Sequence, residues 1–213
     1  MKTDQLIQAL ATDVEPVDTR TGPRRLRWGA LLGTLFAVPP MVWLLGVNPG
    51  LAEDAGQPMF WVKFAFVGTI AAAALVLLLQ LARPAAHARV PAVAAAVPLA
   101  VMWLMAAITL LAAAPGEYVG LMLGSSWREC PIYIAMLSLP TLVLMLWAVR
   151  HLAPTRPGLA GAAAGLLAGA LGALVYLLHC PELEAPFLAI WYPLGMLLPT
   201  TLGAAVGSRV LAW

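Results

Sequence analysis

The sequence predicts an all-α integral membrane protein, a six-helix transmembrane bundle with a short cytoplasmic N-terminal helix, and three observations lead there. Of its 213 residues 62% are hydrophobic and 10% charged, whereas soluble domains carry about half and about a quarter. Six stretches reach the roughly 20 apolar residues that a helix needs to cross about 30 Å of hydrocarbon. The charges also segregate. Lys2, Arg20, Arg24, Arg25, Arg27, Arg83, Arg89, Arg150, Arg156 and Arg209 fall on one side of the six crossings, and only Lys63 and Arg128 fall on the other. By the positive-inside rule the N-terminus, the second and fourth connections and the C-terminus are then cytoplasmic. The opposite face carries Glu53, Asp54, Glu117, Glu129, Glu182 and Glu184. A β-barrel would instead show alternating segments of about ten residues, unlike the run IAAAALVLLL.

Residues 1–27 form the first unit, too short for a core of its own. Thr3 and Asp4 supply a helix cap and a first-turn acid, and Leu6, Ile7 and Leu10 then share one face, with Val14 and Val17 extending the apolar supply. A helix this short is marginal alone. Either it docks into the groove of a partner protein, or it lies on the membrane surface with its arginines against anionic lipid headgroups.

Residues 28–213 form the second unit, with spans at Trp28–Val47, Met59–Ala82, Val90–Ala114, Cys130–Val149, Gly158–Leu178 and Phe187–Gly207. The first is too long, and too far from the N-terminus, for a cleaved signal peptide. Trp28, Trp61, Trp127, Trp191 and Trp213 sit near span ends, where amphipathic rings gather, while Trp103 reads as internal packing. Pro39, Pro40, Pro98, Pro140, Pro193 and Pro199 interrupt the backbone ladder inside spans. Gly161, Gly165 and Gly169 recur at every fourth residue of the fifth span, and Gly203 and Gly207 repeat the pattern in the sixth. Such a stripe serves close helix packing within the chain, with a homodimer seam as the alternative.

The residue inventory excludes much. No carboxylate, lysine or histidine falls in the middle of a span, which argues against a proton-coupled transporter, pump or cation channel. Lys63 lies one turn inside its span, where a lysine snorkels to the interface. His87 and His151 occupy connections rather than facing positions inside the bundle, so haem is not expected. No P-loop, Ser-His-Asp set, HExxH or nucleotide fingerprint occurs, and no enzyme is expected. A net charge of +2 gives no footprint for nucleic acid.

The cysteines carry the remaining chemistry. Cys130 opens the fourth span and Cys180 follows the fifth; each precedes a proline, and both belong to the non-cytoplasmic edge. Consecutive antiparallel helices pack together, which brings two such ends within reach. As an N-cap two residues from Arg128, Cys130 is the thiol expected to ionise. Glu182 and Glu184 oppose ionisation of Cys180. A low-pKa thiol beside a resolving thiol suits a redox sensor. Cys130, Cys180 and His179, with Glu129 and Glu182 to complete or tune the set, also have soft-metal character, suited to copper, zinc or cadmium as a signal rather than a required cofactor.

The segments MKTDQLIQALATD and GSSWRECPIYIAMLSLP, and the long run from LAPTRPGLAG through LLHCPELEAPF to WYPLGMLLP, resemble the NrsF family of six-span inner-membrane anti-sigma factors. The resemblance extends over nearly the whole chain. It implies that the cytoplasmic N-terminal segment holds an extracytoplasmic-function sigma factor inactive and that heavy-metal or oxidative stress relieves the inhibition. The family's two signalling cysteines correspond to Cys130 and Cys180. The mechanism expected of such a chain has three steps: oxidation or metal ligation at these two residues repacks the outer ends of the fourth and fifth helices, glycine-lined contacts carry the change inward, and Leu6, Ile7 and Leu10 lose their hold on the sigma factor. The competing readings are a small six-span carrier or lipid-handling membrane protein, and a membrane electron-transfer subunit.

Overall fold

The structure is a computed structural model, and it describes residues Thr3, Ile7, 21–82, 89–114 and 116–212. In chain order the described helices are α1 (Thr21–Pro40), α2 (Leu51–Asp54), α3 (Pro58–Leu81), α4 (Arg89–Ala112), α5 (Tyr118–Leu123), α6 (Cys130–Arg150), α7 (Pro157–Tyr176) and α8 (Ala185–Val210). Among the described residues there is no strand. Six of these helices, α1 with its extension to Leu45, α3, α4, α6, α7 and α8, are long and apolar enough to cross a membrane. Proline sets several starts: Pro58, Pro131, Pro157 and Pro186 each lie in a first turn. There the missing N–H is not needed and the fixed φ already suits the helix.

The first crossing begins at Thr21, earlier than the Trp28 read from hydropathy. Arg24, Arg25 and Arg27 depress local hydropathy without disfavouring helix, and Leu26 is fully buried. Beyond Pro39 and Pro40 the helix widens into a π-turn, Met41–Leu45, closed by Gly46 N–H donating to the Met41 carbonyl at 3.0 Å. The prolines lack the N–H groups that a regular ladder would use, and one wider turn accommodates the interruption. The short helices α2 and α5 lie in connections and had no signal in the sequence.

The six long helices alternate in direction. Their arginine-bearing ends (Arg24, Arg25, Arg27, Arg89, Arg150, Arg156, Arg209) gather at one side, and the starts of α3, α6 and α8 gather at the other. Helix α7 is the most enclosed of the six, and alanine and glycine dominate its buried positions. The tightest pairing is α7 with α8: a Cβ on Gly161 would collide with the Gly203 carbonyl oxygen, and one on Gly203 with that of Gly161. Gly165, Gly169 and Gly207 meet α8 or α7 backbone in the same way. The glycine stripe is therefore consumed within the chain and offers no dimer seam.

Outward-facing positions are strongly apolar, with Trp43 87%, Leu111 86% and Leu44 73% exposed. Hydrocarbon accepts such a surface and water does not. The hydroxyls of Thr34, Thr69, Thr109 and Thr200 donate to carbonyls four residues back, so they need no solvent. Trp103 differs from its expected role. Its ring is 62% exposed, and its indole N–H crosses to the Ala189 carbonyl at 2.9 Å, tying α4 to α8.

Candidate functional site

The site assembles where α3, α6 and the α7–α8 connection meet, at the side opposite the arginine-bearing helix ends. Cys130 is the first residue of α6; the turn before it is already hydrogen-bonded, its N–H donating to the Ser126 carbonyl at 2.9 Å. Glu129, and not Cys130, holds the cap position. Cys180 closes the last turn after α7, donating its N–H to the Tyr176 carbonyl at 3.0 Å. Pro181 follows and cannot continue the helix. Both cysteines are free and buried, Cys130 at 0% and Cys180 at 2% exposure. Their side chains lie near enough to interact, so the two ends that topology brings together do meet.

The electrostatics run opposite to the expected order. Cys180 is the ionisable partner: it is held below the ordinary thiol value of 9.0, at about 6, foremost by the hydrogen bond from Cys130. Burial opposes the shift, while the charge of Lys63 and the backbone of Glu182 reinforce it. Glu182 does not repel the sulfur, because its carboxylate points away and accepts the Ser125 N–H and Oγ–H, both at 2.6 Å. Gly124, at φ +54, allows this approach; a Cβ there would lie 2.7 Å from the carboxylate carbon. Arg128 does not serve the thiols either, since its guanidinium stacks on the Trp127 ring at 4.8 Å.

The cation that does serve them is Lys63, which was assigned a snorkelling role. Its side chain is fully buried. Nζ donates to the Cys180 carbonyl at 2.8 Å and to the Glu182 carbonyl at 3.0 Å, and it lies 5.3 Å from the Tyr192 ring centre. The hydroxyls of Tyr176 and Tyr192 approach the sulfur atoms, but neither completes a well-formed hydrogen bond, nor does the buried Ser126 Oγ. Lys63, Tyr176 and Tyr192 are the site residues that sequence reasoning missed. The one available signal was that Lys63 is the sole cation inside a span on the cysteine-bearing side.

The five side chains considered for a soft metal do not converge. His179 Nδ1 pairs with the Gly46 carbonyl at 2.8 Å, Glu182 is held by Ser125, and Glu129 is exposed. Among the described residues no three His, Cys, Asp or Glu side chains form a metal-sized cluster. What remains is a pair of free cysteines with the Lys63 side chain beside it. Of the N-terminal residues, Ile7 is helical and 59% exposed, and Leu6, Leu10 and Val14 lie outside the described residues, as do Val17 and His87.

Comparison with known proteins is decisive on family. The family model "NrsF: Negative regulator of sigma F" matches residues 10–213. The chain is 45% identical over 217 residues to a probable anti-sigma-F factor NrsF of Azospira oryzae, and 41% identical over 218 residues to the anti-sigma-F factor NrsF of Caulobacter vibrioides; each alignment covers 100% of both proteins. No solved structure matches. With the family model spanning the bundle and both cysteines, and relatives aligned end to end, the chain belongs to the NrsF family of negative regulators of sigma F.

Proposed function

We propose that this regulator is an inner-membrane anti-sigma factor for an extracytoplasmic-function sigma factor, with both termini cytoplasmic, and that Cys130 and Cys180 are its signal input. The observation that carries the sensor reading is the burial of the two cysteines together at the end of the bundle away from the arginines, with an ammonium beside them. The orientation follows from the arginine distribution. The grip on the sigma factor is assigned to the apolar face of Leu6, Ile7, Leu10 and Val14, and the exposure of Ile7 supports that assignment.

The input chemistry is a two-electron oxidation by a hydroperoxide. The Cys180 thiolate attacks the nearer peroxide oxygen, the O–O bond breaks, and the departing alkoxide or hydroxide takes a proton and leaves as alcohol or water. Cys180 is left as a sulfenic acid. The Cys130 sulfur attacks it, the S–S bond forms, the S–O bond breaks, and water leaves with the Cys130 proton. Two thiols are oxidised and one peroxide bond is reduced. The disulfide then alters how α6 and the end of α7 pack, and the N-terminal segment releases the sigma factor.

The test is the double variant Cys130→Ser, Cys180→Ser in cells carrying a sigma-dependent reporter. Serine preserves volume and removes the redox chemistry, so basal repression should persist while induction by peroxide is lost. A double variant that induces like the parent would eliminate the thiols as input.

A further inference from the structure

The oxidation just outlined gives Lys63 no role, yet its placement is costly. An ammonium withdrawn from water loses much of its solvation. Two carbonyls and the face of Tyr192 offset part of that loss. No carboxylate lies within ion-pair distance of Nζ among the described residues. The ionisable side chains it faces are Cys180, Cys130 and, more weakly, Asp54. Asp54 is itself engaged, accepting from the Asn48 side chain at 2.7 Å.

We propose that Lys63 is the positioning residue of the thiol pair: it fixes the Cys180–Glu182 backbone through two hydrogen bonds and supplies the positive charge that accompanies the Cys180 sulfur as an anion. This rests on the reading of Cys130 and Cys180 as a reactive pair. Two features of the geometry carry it. The carbonyls that Nζ holds belong to Cys180 itself and to Glu182 two residues on, so the lysine grips the segment bearing the sulfur from both sides of Pro181. Moreover, Lys63 comes from α3, 117 residues before Cys180 in sequence, so it cannot be a by-product of the local turn. A lysine in this position that served packing alone would be replaceable by an uncharged chain of equal length.

A consequence follows for the oxidised state. In the reduced pair the sulfur anion and the ammonium balance. Disulfide formation removes the anion and leaves the ammonium buried without its partner, so the equilibrium favours arrangements in which α3 lets Lys63 reach water or an anion. Helix α3 is thus a further element, beside α6 and the end of α7, on which the chemical event exerts a force.

The experiment uses the full-length protein in detergent with Lys63→Arg, Lys63→Gln and Lys63→Met. Each variant is exposed to stoichiometric hydrogen peroxide at about pH 5, below the Cys180 value, where the thiolate fraction falls about tenfold per unit of pKa, and the Cys130–Cys180 disulfide is followed by loss of thiol labelling after denaturation. Arginine retains the charge and should remain within about threefold of the parent rate, whereas glutamine and methionine should be slower by about tenfold or more, the change expected from one unit of thiol pKa. Glutamine retains a hydrogen-bond donor for the carbonyls, so a slow glutamine variant separates charge from tethering, and it serves alone if the methionine variant does not fold. Glutamine and parent reacting at equal rates would overturn the role of Lys63 while leaving the dithiol reading intact. A parent protein that forms no disulfide would overturn both.

Discussion

At Cys180 a neutral thiol and its anion compete, and the surroundings favour the anion. The hydrogen bond from Cys130 is the foremost cause and the charge of Lys63 adds to it, against burial, bringing the group from 9.0 to about 6. A folded-state pKa lowered in this way contributes stability that is fully present above the unfolded thiol value near 9 and is lost progressively as pH falls through about 6. Reactivity follows the same curve, because the thiolate is the nucleophile. The rate of reaction of Cys180 with hydrogen peroxide should therefore rise to half its plateau near pH 6, when measured on the full-length protein by mass spectrometry. Half-maximal reactivity near pH 9 would show that the neighbours do not act on the sulfur. Why the sequence misassigned the ionising thiol is physical. Helix position and charges two residues away are visible in a sequence, but the decisive contacts come from Lys63 and from the second cysteine, and a turn carries Glu182 toward Ser125 instead of the sulfur.

Among the elements, the contact of α7 with α8 depends on the absence of side chains. In hydrocarbon no hydrophobic drive brings helices together, so close van der Waals packing and backbone approach carry the association. Gly161 and Gly203 each present a bare Cα to the other's carbonyl, and any Cβ there forces the helices apart. Gly161→Val should lower the thermal midpoint by the equivalent of about 1–3 kcal/mol, the usual cost of overpacking. Gly68 on α3 is the matched control. A Cβ there meets nothing within 4 Å, so Gly68→Ala should leave the midpoint unchanged or raise it by up to about 1 kcal/mol through helix propensity. Equal effects at the two sites would show that the stripe does not hold α7 to α8. The six long elements were legible because length and hydropathy determine them, and their boundaries agree closely wherever proline marks a first turn. The start of α1 was not, because arginines there lower hydropathy but are good helix formers. Helices α2 and α5, of four and six residues, are too short to carry a periodic signal.

Across the whole molecule, the thiols and the arginine-bearing ends stand on opposite sides of a bundle that spans roughly 30 Å of hydrocarbon. A signal crossing it requires helices with two discrete arrangements, biased by chemistry at one end and by the partner at the other. Helix α7 is suited to this, since its last turn runs into Cys180 and its glycines seat it on α8 over most of its length. If the N-terminal face is the grip, its energetics bound the outcome of disrupting it. Burial of one leucine is worth about 1.5–3 kcal/mol, so two leucines account for a hundredfold or more in Kd, before any cost of burying new charge. Leu6→Asp together with Leu10→Asp should therefore abolish co-extraction of the sigma factor in mild detergent and make its regulon constitutive. The thermal midpoint of the bundle should not change, because Leu6 and Leu10 precede the first crossing, which begins at Thr21. The parent protein should retain the sigma factor through the same extraction, which a carrier or lipid-handling protein of the same architecture would not. Undiminished retention by the double variant would move the grip elsewhere on the arginine-bearing face, whereas loss of retention together with a lowered midpoint would mean that the segment packs on the bundle instead of on the partner.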